Sequence, residues 1–175
     1  MDLQDKVAFI TGGASGLGRA TAENFIKAGA KVMVFDLNAE TAEQAAAELG
    51  ANASFAAGDV ADEDAVRAAV QKTVETFGGL HINVNSAGIG AAARTLGREG
   101  PMPLKTFEFI VRVNLIGTFN VLRLCADAMQ HNAPVTDDGE RGVIINVASV
   151  AAFDGQIGQA AYSASKGGVA GMTLP

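Results

Sequence analysis

The sequence predicts an α/β fold, a doubly wound parallel sheet with helices on both faces. Three observations predict it. Apolar, β-rich runs recur at Lys6–Thr11, Lys31–Phe35, Ala53–Ala56, Leu80–Val84 and Gly142–Ala148, with room between them for helical crossovers. The intervening segments place apolar residues at helical period. A glycine-rich turn closes the first strand and opens the first helix, at the end of the sheet where open α/β folds bind ligands.

The first strand ends in Thr11-Gly12-Gly13-Ala14-Ser15-Gly16-Leu17-Gly18, and the helix Gly16–Ala28 follows at once. The second and third strands lead into helices Ala39–Leu49 and Asp62–Phe77, the latter with Val66, Val70, Val74 and Phe77 on one face. The fourth strand ends in Asn85-Ser86-Ala87-Gly88. A long helix, roughly Leu104–Met129, then leads to the fifth strand, with Phe107, Ile110, Val111 and Leu115 on one side. Right-handed crossovers complete the doubly wound sheet. Gly88–Pro103 and His131–Gly142, the latter with an acidic Asp137-Asp138-Gly139-Glu140 turn, are too polar or Gly/Pro-rich for regular elements and read as surface loops.

Composition bounds the partners. The 175 residues are 49% apolar and 18% charged, one domain's worth with a real core. Charge and turn residues interrupt the apolar stretches short of the ~18 residues a membrane span needs. A net charge of −6 without a Lys/Arg cluster argues against nucleic acid. The single cysteine, Cys125, forms no internal disulfide, and two scattered histidines, His81 and His131, suggest no metal site. With no signal or transit pattern at the N-terminus, the expected location is the cytoplasm.

The chemistry starts at the turn. Gly12, Gly16 and Gly18 let backbone N–H groups and a helix N-terminus approach a pyrophosphate without Cβ obstruction. An ordinary glycine-rich turn has the same composition; the second strand supplies the distinction. It ends in Asp36, eighteen positions after Gly18, close to the ~20-residue spacing of a carboxylate that accepts a ribose hydroxyl and repels a 2′-phosphate. Arg19, the local cation, reads as a surface residue, so NAD is favoured over NADP. Asp59, in Gly58-Asp59-Val60, caps the next helix, contacts the adenine, or does both. The small residues Asn85 to Gly88 allow close backbone approach to a cofactor.

Tyr162, the only tyrosine, precedes Lys166 by four residues, which puts both on one helix face, and Ser149 lies just beyond the fifth strand. A phenol titrates near pH ~10, and an adjacent ammonium plus a nicotinamide cation favour its phenolate, which makes it usable as a general acid or base. Ser149 can hold the substrate oxygen by hydrogen bond. Taken alone, a Tyr–Lys pair at this spacing is an ordinary helix-surface pair; the glycine-rich turn and Asp36 give it a purpose.

Together these motifs resemble the short-chain dehydrogenase/reductase family: T-G-x-x-x-G-x-G at Thr11–Gly18, N-x-A-G at Asn85–Gly88, and Ser149, Tyr162 and Lys166. The resemblance covers the whole chain and implies one NAD-binding, Rossmann-type domain over residues 1–175. It implies Asn114 as a fourth catalytic residue ordering a water relay to Lys166, although the sequence alone also reads Asn114 as a polar helix residue. Lys166 would hold the nicotinamide ribose, and Ser15, Leu17, Asp36, Asp59, Val60 and Ser86 would line the cofactor. Within the family, Ile10–Gly18, Asn114–Val121 and Ala148–Lys166 resemble the type-2 3-hydroxyacyl-CoA dehydrogenases, also called 17β-hydroxysteroid dehydrogenase type 10. That implies NAD-linked oxidation of the 3-hydroxyl of an acyl-CoA, or of a steroid or other secondary alcohol. Ser149, Gln156 and Tyr162 would meet the substrate, Arg94 and Arg98 could meet CoA phosphates, and the chain would form a homodimer or homotetramer.

The family continues with a sixth strand, a substrate-covering lid and a seventh strand, whereas this chain stops at Met172-Thr173-Leu174-Pro175, inside the helix carrying Tyr162 and Lys166. The domain is therefore expected to be incomplete, less stable than a full-length relative, and open to the alternative of binding NAD without turnover. Its last strand would be an uncovered sheet edge.

Overall fold

The computed structural model describes residues 1–90 and 92–175. Strands β1 (Val7–Thr11), β2 (Lys31–Asp36), β3 (Ala53–Ala57) and β4 (Ile82–Asn85) alternate with helices α1 (Gly16–Lys27), α2 (Ala39–Leu49) and α3 (Glu63–Phe77). A short hairpin, β5 (Leu96–Gly97) and β6 (Gly100–Pro101), lies within the segment read as loop. Then come α4 (Leu104–Val111), a π-helical segment (Arg112–Gly117), α5 (Thr118–Met129), β7 (Val143–Asn146), a 3-10 turn (Val150–Ala152) and α6 (Ala160–Gly171). The main sheet has the order β3-β2-β1-β4-β7, and every pairing in it is parallel.

The winding reverses between β1 and β4. The chain first builds outward through β2 and β3, then crosses back to β4 and β7, so loops on either side of that switch diverge and leave a crevice. β1 is buried along its whole length, as a central parallel strand must be. Phe9, Met33, Phe35, Val66, Leu80 and Val121 pack on one face, between the sheet and α3 and α5. Ala8, Ile10, Val32, Val34, Ala22 and Ala42 pack on the other, under α1 and α2.

Several boundaries differ from the sequence reading. In α3 the buried positions are Val66, Ala69, Val70 and Thr73, while Val74 is exposed. Thr73 tolerates burial because its hydroxyl donates to the Ala69 carbonyl at 2.8 Å. Asp62 is the N-cap of α3, its carboxylate accepting from the Asp64 and Ala65 amides. The long helix is continuous from Leu104 to Met129, but with the π-helical turn in its middle. It is also long and apolar enough to cross a membrane by length and composition, against the expectation of interrupted apolar stretches. Its Ile110, Val121, Leu124, Cys125 and Met129 are nevertheless buried in this fold. β7 is one edge of this sheet and β3 the other, and on β7 Val143 and Ile145 are exposed. α6 ends at Gly171, so the last residues lie beyond the helix rather than inside it.

Candidate functional site

The glycine-rich turn is pinned to the loop after β4. Thr11 Oγ1 accepts from the backbone amides of Ser86 (3.1 Å) and Ala87 (3.0 Å), a role the sequence reading missed. Gly12 takes φ +62° and lies so close to this loop that a Cβ would stand 3.0 Å from Ala87 Cα. A Cβ on Gly18 would stand 2.2 Å from the Gly12 carbonyl oxygen. Ser15 is the N-cap of α1 but makes no side-chain capping bond, leaving the first amides of α1 without that partner.

A cleft of about 440 Å³ runs along this turn, lined by Gly12, Ser15, Gly16, Leu17, Asp36, Asp59, Val60, Ser86, Ala87 and Gly88. Phe35, Leu37, Gly58, Ile89, Phe109 and Val113 complete its wall, none of them foreseen. Gly18 and Asn85, expected at the cofactor, do not line it: Gly18 is buried beneath the turn, and Asn85 is turned into the sheet. The Asn85 amide donates to Asn83 Oδ1 (2.8 Å) and Asn146 Oδ1 (2.9 Å), tying β4 to β7.

Asp36 closes the far end. Its carboxylate accepts from the Ala14 amide (3.2 Å) and the Leu37 amide (2.8 Å), which fixes it beside the glycine-rich turn. Arg19 is held elsewhere, by Glu23 (2.9 Å), Glu48 (3.1 Å) and the Ala45 carbonyl. Asp59 does not cap α3; its Oδ1 accepts from the Ala61 amide at 2.8 Å in the preceding turn. Val60 packs against the long helix at Gly117, where a Cβ would stand 2.5 Å from Val60 Cγ2. Asn120 donates to the Val60 carbonyl at 2.9 Å and holds the same loop.

The other half of the site lies beyond β4 and β7. Ser149 caps the 3-10 turn, its Oγ accepting from the Ala151 amide at 3.2 Å. Ser149 and Tyr162 line one hollow of about 450 Å³ together with Gly90, Ala92 and Gln159. Lys166 is buried beneath; its Nζ donates to the Val147 carbonyl at 2.7 Å and sits 6.0 Å from the centre of the Tyr162 ring. Burial pushes the Lys166 ammonium below its ordinary range. Gly88 packs close to Asn114 and Lys166. It lines the cleft, and a Cβ on it would stand 3.2 Å from Asn114 Oδ1 and 3.6 Å from Lys166 Nζ.

Asn114 occupies the π-helical segment, fully buried. Its Oδ1 accepts from the Ile89 amide (2.8 Å), and its Nδ2 donates to the Ile89 carbonyl (2.9 Å) and to Ser165 Oγ (3.1 Å). The Asn114 carbonyl accepts from Thr118 Oγ1 at 2.7 Å. Gln156 is exposed and lines a different hollow, with Arg94, Phe153 and Ser163. Gln159, whose Oε1 accepts from the Gln156 amide at 2.9 Å, is the glutamine beside Ser149 and Tyr162. Helical spacing offered a signal for it, three residues before Tyr162 and on the same side of the helix start. Arg94 and Arg98 both line a third hollow on the hairpin. Among the described residues, no three metal-ligating side chains gather.

The arrangement is thus a cleft over a glycine-rich turn and, along the loop after β4, a hollow holding a serine and a tyrosine near a buried lysine. Residues 6–174 match the model of the short chain dehydrogenases. The chain belongs to that family. It is 53% identical over 171 residues to the 3-hydroxyacyl-CoA dehydrogenase type-2 of Bos taurus, covering 97% of this chain and 65% of the relative. The protein of the same name from Drosophila melanogaster is 50% identical, with 99% and 68% covered. The crystal structure of 3-hydroxyacyl-CoA dehydrogenase type-2 from Mycobacterium avium superposes with a TM-score of 0.92 at 38% identity, covering 99% of this chain and 69% of that one. The chain therefore spans about two thirds of the length of these short chain dehydrogenases. The close-packed glycine-rich turn and the carboxylate of Asp36 on the cleft wall fit a dinucleotide.

Proposed function

We propose that this chain is an NAD-dependent oxidoreductase that interconverts a secondary alcohol and a ketone, with the 3-hydroxyl of a 3-hydroxyacyl-CoA as its substrate. The loop after β4 carries this reading, since it lines the cleft with Ser86 to Ile89 and the hollow of Ser149 and Tyr162 with Gly90. The acyl-CoA substrate follows the printed names of the relatives.

Bound NAD supplies the acceptor of the hydride that leaves the alcohol carbon. The amides of the glycine-rich turn and the N-terminus of α1 hold the pyrophosphate, and Asp36 accepts from the adenosine ribose and disfavours a 2′-phosphate. Asp59, Val60, Ser86 and Ala87 wall the cleft. Tyr162 takes the hydroxyl proton during oxidation and returns it during reduction. The Ser149 hydroxyl donates to the substrate oxygen and fixes it beside Tyr162. Lys166, pinned by the Val147 carbonyl, places its positive charge beside the phenol ring and would hold the nicotinamide ribose. Asn114 braces Ile89, the residue after Gly88.

Ile116 and Phe119 are exposed apolar side chains on the long helix. A second copy of the chain covering them gives the homodimer or homotetramer that this reading includes. The deciding experiment follows NADH consumption with acetoacetyl-CoA, with Tyr162→Phe as control and NADPH as second cofactor. Consumption of NADH that Tyr162→Phe abolishes is the expected result. Soluble protein that binds NADH but turns over neither acetoacetyl-CoA nor a ketosteroid would overturn the proposal and leave a nucleotide-binding module.

A further inference from the structure

Ser165 is completely buried within α6, one residue before Lys166 and three after Tyr162. Its hydroxyl is used in both directions: it accepts from Asn114 Nδ2 at 3.1 Å and donates to the Tyr162 carbonyl at 2.7 Å. Asn114 in turn grips both backbone groups of Ile89. An unbroken run of hydrogen bonds therefore links the loop after β4, the π-helical segment and the turn of α6 that bears Tyr162. Packing beside it is equally close, since a Cβ on Gly168 would stand 2.7 Å from Leu115 Cδ2. Serine in a helix often bonds back to a carbonyl of the preceding turn, but here the same oxygen also takes a buried amide from another element. Only a small side chain that both donates and accepts can do this.

We propose that Ser165 is a positioning residue, which locks the Tyr162 turn of α6 to Asn114 and so holds Tyr162 in place against the loop that joins the two halves of the site. It touches neither substrate nor cofactor and acts through Tyr162 and Asn114. The inference rests on the reading of Tyr162 as the acid/base, and its test separates the two. The chain has one tyrosine and no tryptophan, so the near-ultraviolet circular dichroism band of tyrosine reports Tyr162 alone.

The variants are Ser165→Ala, Ser165→Thr, Asn114→Ala and the Ser165→Ala/Asn114→Ala double variant, each checked for native far-ultraviolet spectrum. Ser165→Ala is expected to lose most of the tyrosine band and to lower kcat with acetoacetyl-CoA on the order of ten- to a hundredfold, with KM for NADH little changed. Ser165→Thr is expected to restore both, and the double variant to be no worse than Asn114→Ala alone, as two ends of one bond require. If Ser165→Ala does not fold, Ser165→Cys, which keeps the volume and weakens both bonds, is read the same way. An unchanged tyrosine band and kcat, or effects of the two single variants that add, would overturn the proposal. Should the native chain show no turnover, loss of the band in Ser165→Ala would still support the positioning role while the functional reading fails.

Discussion

Gly18→Ala measures how tightly the glycine-rich turn is closed. The new Cβ would lie 2.2 Å from the Gly12 carbonyl oxygen, 2.7 Å from its carbon and 3.1 Å from Gly13 Cα. All three are backbone atoms, so no flexible side chain can swing aside. Restoring a 3.0 Å contact needs a displacement of roughly 0.8 Å between the first turn of α1 and Gly12. Gly12 cannot retreat, because it already rests on Ala87 and Thr11 bonds that loop. Overpacking of this kind costs about 2 kcal/mol, which in a chain of 175 residues corresponds to a fall of roughly 4–8 °C in Tm. The displaced amides are also those proposed to hold the pyrophosphate, so NADH affinity should fall on the order of tenfold or more. Calorimetry and an NADH fluorescence titration read the two effects. Gly16→Ala is the companion: at φ +52° with nothing within 4 Å, it pays only the left-handed backbone strain of about 1–2 kcal/mol. A Gly18→Ala protein that melts and binds NADH like the native one would refute the argument that the turn is closed against itself.

Asp36→Ser should raise the affinity for NADPH relative to NADH on the order of tenfold, measured by fluorescence titration, because the carboxylate that repels a 2′-phosphate is gone. Cys125 is buried and its thiol is pushed far up by burial, so a disulfide reagent should label it only as the chain unfolds, with a denaturant midpoint matching that of circular dichroism. His81 accepts the Val7 amide at Nδ1 (3.2 Å), and burial with Lys6 nearby lowers its pKa below the ordinary value. Below about pH 6.5 the unfolded chain takes up a proton that the folded chain resists, so stability should fall with pH there and level off below the folded value. Urea melts of the native protein and His81→Gln should show this slope in the first and not the second.

The period of the apolar residues made the parallel sheet legible, because each strand that is buried on both faces must be apolar throughout. The glycine-rich turn, Asp36 and the Tyr162–Lys166 pair were legible because local spacing alone fixes their geometry. Contacts between distant elements were not. Nothing near Asn114 announces a π-helical turn, which shows only once its amide is seen gripping Ile89 and Ser165. Thr73 rather than Val74 sits on the buried face, where its hydroxyl is satisfied within the helix. Gln156 and Gln159 have the same chemistry, and the bend of the intervening loop decides which one meets Tyr162. Asp59 and Asp62 compete for the same cap, and the length of the turn between them decided it for Asp62.

The amides of Asn85 and Asn146 have a consequence for the accuracy of assembly. β4 and β7 pair Asn83 with Ile144 and Asn85 with Asn146, and hydrocarbon neighbours alone would forgive a slide between two such short apolar strands. A slip of one residue turns Asn146 to the opposite face of the sheet. A slip that sets Ile144 across from Asn85 costs its amide one of two acceptors, the one on β7, at about 1 kcal/mol and several-fold in population. The pair therefore proofreads the docking of the outermost strand, and the carbonyl of Val147 reaches Lys166 only in the alignment that passes.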